Sequence, residues 1–114
     1  MINKATNQNP APVSSQCIIH RLTTIYIREA RKLIPDASPS SIMLFATLVE
    51  RPIPLSVRAL AKSTTIPHET VRRHLCKMHQ AGLLEKNRDR KYIPTALGLE
   101  TAERLNRVVL QSIH

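Results

Sequence analysis

The residues best equipped for chemistry in this chain are arginines and lysines interleaved with small polar side chains. In the run His68-Glu69-Thr70-Val71-Arg72-Arg73, arginine suits a two-pronged contact with a guanine edge. Glutamate can accept from the cytosine amino group, and threonine can meet a base edge or a thymine methyl. Stepping 100° per residue from Val71, the side chains of Glu69, Arg73 and Gln80 point nearly opposite to it. Thr70 and Lys77 fall on one flank of that face and Arg72 on the other. His68, Glu69, Thr70, Arg72, Arg73 and Lys77 are therefore candidate contacts to double-stranded DNA, the first turns of such a helix being the ones that reach bases. A second basic group, Arg88, Arg90 and Lys91 around Asp89, is suited to phosphates or a minor groove. Arg58 and Lys62 are candidate phosphate clamps. The plain reading of Glu69 and Arg73, four apart, is a surface ion pair.

Those side chains need a frame. Ser56 is a good cap for a helix from Val57 to about Ser63 that buries Val57, Leu60 and Ala61. Small Ala61 lets a second helix cross closely. The turn Ser63-Thr64-Thr65-Ile66-Pro67 follows, with Thr65 or Ile66 in the capping region and a proline suited to opening a helix. That second helix, about residues 67–80, buries Val71, Leu75 and Met78 and stops at Gly82, a residue suited to the left-handed position past a helix end. Two short strands, Leu84 to Asn87 and Lys91 to Pro94, flank the tip Asn-Arg-Asp-Arg.

Upstream, apolar residues Ile18, Leu22, Ile25, Tyr26, Ala30 and Leu33 recur at helical steps, capped by Ser14 or Ser15 and halted at Ile34-Pro35. Ser38-Pro39 opens a further helix with the stripe Ile42, Phe45, Leu48 and Val49. The two-proline connector 51–55 suits an extended segment that pairs with the later hairpin. Thr95 caps a last helix with the stripe Leu99, Ala102, Leu105, Val109 and Ile113. Residues 1–14, rich in Asn, Gln and Pro, have little to bury and read as a disordered arm, leaving one domain over 15–114.

Composition agrees with a polyanion as partner. The net charge is +9, and between Arg51 and Lys91 stand ten Lys and Arg against three acidic residues. At 114 residues the chain closes one modest core. The two cysteines, Cys17 and Cys76, show no framework spacing, which suits a reduced, cytoplasmic protein. No membrane span or signal core is evident in the sequence. There is no Ser-His-Asp or Cys-His arrangement, no glycine-rich phosphate loop and no carboxylate cluster, so the reading is not an enzyme and needs no cofactor. His74, Cys76 and His79 share one helix, but nothing completes a metal site, and His74 sits at the buried edge. Cys76 has cationic neighbours that favour a thiolate but no resolving partner.

Leu60-Ala61, Thr70-Val71, Leu75, Ala81-Gly82-Leu83-Leu84, the basic hairpin and Thr95-Ala96-Leu97-Gly98 together resemble bacterial winged helix-turn-helix transcription regulators. The order of elements is most similar to the MarR type, over roughly residues 40–100. The resemblance implies a mainly α fold, a three-helix core with a β-hairpin wing and flanking terminal helices. It implies sequence-specific binding to double-stranded DNA, with the recognition helix 67–80 in the major groove and the wing 84–94 on the backbone or minor groove. It also implies a homodimer on a pseudo-palindromic site, joined through the terminal helices; a small-molecule effector is compatible with the family and not indicated by the residues. The competing readings are a winged-helix protein-interaction module, which has no need of a basic reading face, and a structured-RNA binder, which has no use for such a helix.

Overall fold

In a computed structural model of the chain, residues 10–51 and 53–113 are described. Five helices and three short strands follow in the order α1 (Pro10–Leu33), α2 (Pro39–Glu50), β1 (Leu55–Ser56), α3 (Val57–Thr64), α4 (His68–Gln80), β2 (Leu84–Lys86), β3 (Lys91–Pro94) and α5 (Ala96–Ile113). The strands form one antiparallel sheet in the order β1-β3-β2. The expected partner of the hairpin is found in the connector, where Leu55 pairs with Tyr92 and Ser56 with Lys91.

Helix starts are set by side-chain oxygens. Ser38 accepts from the amide of Ser41 at 3.2 Å, and Ser41 returns the favour by accepting from the Ser38 amide at 2.8 Å, with Pro39 locked into the first turn. Ser56 caps α3 by accepting from Ala59 N at 3.1 Å. The end of α4 is a Schellman closure: Leu83 N donates to Met78 O and Gly82 N to His79 O, both at 3.0 Å, with Gly82 at φ +84°. Thr95 Oγ1 then joins this corner to α5, donating to Gly82 O at 2.6 Å and accepting from Gly98 N at 3.0 Å.

The core is built where the helical elements meet: Leu44, Phe45 and Leu48 of α2, Leu60 of α3, Val71, Leu75 and Met78 of α4, Leu84 and Tyr92 of the hairpin, and Leu105 of α5. Four expectations need correction. Helix α1 begins at Pro10, so Ser14 and Ser15 lie inside it rather than capping it, and residues 10–14 belong to the helix; the rest of the expected arm, residues 1–9, lies outside the described residues. In α5 Leu99 is 51% exposed, because Gly98 is the residue turned inward against Leu83, which shifts the buried stripe to Thr101, Ala102 and Leu105. In α2 the buried centre is Ser41, Leu44, Phe45 and Leu48, with Ile42 and Val49 only half-buried at its edge. Helix α4 opens at His68, with Pro67 at the cap position and no side-chain cap.

Candidate nucleic-acid interface

Helices α3 and α4 are joined by the turn Thr65-Ile66-Pro67. Thr65 adopts the left-handed conformation at φ 60°, ψ 17°, the position where glycine is the easier residue. Thr64 stabilises the bend: its hydroxyl donates to Leu60 O at 2.6 Å and accepts from Ile66 N at 3.3 Å. Helix α4 buries Val71, His74, Leu75 and Met78. That leaves Glu69 and Arg73 exposed opposite the core, His68 and Arg72 exposed toward one flank, and Thr70 half-buried on the other.

The wing is fixed by its own tip. Asn87 Oδ1 accepts from Asp89 N at 2.9 Å and from Lys91 N at 3.0 Å, and Arg90 N donates to Asn87 O at 3.1 Å with Arg90 at φ 60°. This Asx-type closure lets a tip without glycine turn tightly. Within the hairpin Lys86 faces Tyr92 across the ladder. Its ammonium lies 5.7 Å from the Tyr92 ring centroid, and that ring meets the His79 ring edge-on at 6.2 Å.

These elements enclose a notch of about 310 Å³ bordered by Arg58 of α3, His68 and Arg72 of α4, and Lys86, Asp89, Arg90 and Tyr92 of the wing. The fold thus brings together four of the residues singled out from the sequence: Arg58, His68, Arg72 and Arg90. Lys62, Arg73, Arg88 and Lys91 are exposed but do not border the notch. Lys77 is engaged elsewhere: its ammonium is paired with the carboxylate of Asp36 in the α1–α2 corner, and that contact holds the Asp36 carboxyl below its usual range. Glu69 pairs with Arg72, three residues on, rather than with Arg73. The hydrogen bond from Arg72 keeps the Glu69 carboxyl low and the guanidinium high in pKa. Lys86 was missed as a site residue. It stands immediately before the four-residue tip, and only the pairing opposite Tyr92 shows that it turns toward α4.

Among the described residues no three His, Cys, Asp or Glu side chains lie together as metal ligands. Cys76 is exposed and accepts from Gln80 Nε2 at 3.8 Å. No described helix is long and apolar enough to cross a membrane.

No protein-family model matches the chain, and no curated protein sequence matches it. Solved structures do. A Mycobacterium tuberculosis MarR family protein, solved in complex with DNA, superposes with a TM-score of 0.66 at 20% identity, over 91% of this chain and 79% of that one. MepR, a transcription regulator of the Staphylococcus aureus multidrug efflux pump MepA, gives a TM-score of 0.74 at 13% identity, covering 90% and 78% of the two chains. MarR from E. coli in its reduced form gives 0.69 at 14% identity, covering 94% and 78%. The chain has the MarR-type winged-helix fold. The likeness spans α1 to α5, beyond the residue 40–100 segment in which the sequence resemblance lay. In the order of elements, α4 is the second helix of the helix-turn-helix, and Leu84–Pro94 is the hairpin that follows it.

Proposed function

We propose that this protein is a transcriptional regulator that reads double-stranded DNA, with α4 in the major groove and the wing along the backbone or minor groove. The observation that carries the proposal is the convergence of Arg58, His68, Arg72, Lys86 and Arg90 from three separate elements around one notch beside the exposed face of α4. A duplex offers charged phosphates flanking neutral base edges, and this surface offers cations flanking a helix face of mixed donors and acceptors. The M. tuberculosis relative of the same fold is itself described in complex with DNA, which supports the reading.

The domain acts as a homodimer in this proposal. Ile18 of α1 and Leu110 of α5 are 52% and 57% exposed, large apolar side chains at the two terminal helices that the single chain leaves uncovered. Two recognition helices then sit one duplex turn apart, roughly 34–36 Å. A cytoplasmic, non-enzymatic role belongs to the same reading.

The test is a mobility shift with selected and random duplexes, using the parent chain, Arg72→Ala and Arg73→Ala. The parent is expected to prefer selected duplex, and Arg72→Ala to erase part of that preference, by roughly 5- to 100-fold for one lost guanine contact. Arg73→Ala should weaken binding to every sequence about equally. Failure of the parent to bind any duplex would sink the proposal and favour an interaction module.

A further inference from the structure

Among the described residues, Arg72 is the one cation of the reading face held by a carboxylate on the same face. Glu69 Oε2 accepts from Arg72 Nη2 at 2.5 Å and from Nε at 3.0 Å, while Oε1 accepts from Nε at 3.1 Å. The contact is side-on. A guanidinium has five N–H donors, and this arrangement takes Nε–H and one of the Nη2 hydrogens. The end fork, formed by both Nη1 hydrogens and the second Nη2 hydrogen, makes no hydrogen bond among the described residues. Both side chains remain well exposed, at 58% for Arg72 and 68% for Glu69. Arg73, next along the helix, is exposed and forms no ion pair among the described residues.

Two consequences follow from this geometry. The pair carries no net charge, so its pull on a phosphate largely cancels; phosphate attraction is a charge effect that grows with each uncompensated cation. The open fork is untouched, and a guanine edge is neutral and recognises a fork by direction rather than by charge. Resting on the DNA-reading proposal above, we infer that Glu69 is a positioning and specificity-determining residue that converts Arg72 from a phosphate contact into a guanine reader. Glu69 aims the guanidinium plane and removes the reward for grasping the backbone at sites without the right base. Arg73, having no such partner, supplies the sequence-independent grip. The first turn of α4 is also where an acid is favoured by the helix dipole, so holding Glu69 in place costs the fold little.

The experiment measures binding of the full chain to a duplex selected from a random pool by the parent protein, and to random duplex of equal length, across a series of salt concentrations. Parent, Glu69→Gln, Arg72→Gln and the double variant Glu69→Gln/Arg72→Gln are compared, with thermal unfolding checked for each. Glu69→Gln is expected to strengthen binding to random duplex and to steepen its salt slope by roughly 0.9, the value for one added phosphate contact. The ratio of selected to random binding should fall by roughly tenfold, the discrimination of one base contact. In the Arg72→Gln background the same Glu69 change should leave both slope and ratio where they were, because Glu69 acts through Arg72. An unchanged salt slope in Glu69→Gln, or an equal effect in the Arg72→Gln background, would overturn the inference while leaving DNA reading intact. A parent chain without preference for any duplex would overturn the functional reading and this inference with it.

Discussion

The imidazole of His74 is 7% exposed, and its Nδ1 has no hydrogen-bond partner among the described residues. Burial, then the nearby cations Arg73 and Lys77, hold its pKa below the ordinary 6.5, with Asp36 opposing. The folded chain therefore binds fewer protons here than the unfolded chain does. The folded chain keeps its full advantage above pH 6.5, where both states are neutral at this residue, and loses part of it as falling pH protonates the unfolded imidazole. The unfolding midpoint should accordingly drop between pH 7.5 and 5.5. His74→Leu should flatten that part of the profile and cost little at neutral pH, since removing an unsatisfied buried nitrogen spares about 1–3 kcal/mol of desolvation; an unaltered profile in the variant refutes the assignment. Gly98 is the other residue with no latitude. A Cβ there would stand 2.2 Å from Leu83 O, a backbone atom that cannot swing away. Gly98→Ala should lower stability by about 1–3 kcal/mol, as overpacking does, read as a shift in the urea midpoint.

At the scale of elements, the wing depends on one side chain. Asn87 accepts from two amides at once and sets where Arg90 and Lys91 point. Asn87→Ala should leave the core's unfolding midpoint within about 1 kcal/mol of the parent. It should weaken DNA binding several-fold, because loosened tip cations must be ordered on contact. Equal affinity would show that the wing takes no part. The helix-turn-helix itself was legible in the residues: apolar steps at Val71, Leu75 and Met78, a cap at Ser56 and a glycine at 82 are local signals, and each sits where it was read. Boundaries were less legible. Capping preference alone puts the start of α1 at Ser14 or Ser15, yet the helix continues back to Pro10, since a chain that remains helix-compatible need not stop at the first available cap. In α5 side-chain hydrophobicity points inward at Leu99, while the close approach of Gly98 to the Leu83 carbonyl decides the inward face and leaves Leu99 exposed.

For the whole molecule, the proposed dimer rests on the terminal helices. An apolar groove of about 560 Å³ runs between α1, α2 and α5, lined by Leu22, Tyr26, Ile27, Ile42, Met43 and Val109, and burial raises the pKa of the Tyr26 phenol within it. With Ile18 and Leu110 also exposed, the chain should sediment at twice its 12.9 kDa. Ile18→Gln/Leu110→Gln should shift it toward single chains and cut operator affinity by more than tenfold, since the second half-site no longer binds as part of one molecule. A parent that sediments as one chain at micromolar concentration would refute the dimer.

What the sequence settled alone is what depends on neighbours along the chain: the caps at Ser38 and Ser56 and the stop at Gly82, which face of α4 is apolar, and that the basic residues gather between Arg51 and Lys91. These follow from the helical period and from short-range hydrogen bonds, which act over three or four residues. What only the tertiary structure decided is which charges meet. Lys77 finds Asp36, 41 residues away, Lys86 comes round to the α4 side of the wing, and Arg72 lines one notch with Arg58 and Arg90. Even the partner of Glu69 differs: the four-residue spacing points to Arg73, whereas the folded chain pairs Glu69 with Arg72, positions three and four along a helix lying almost equally near.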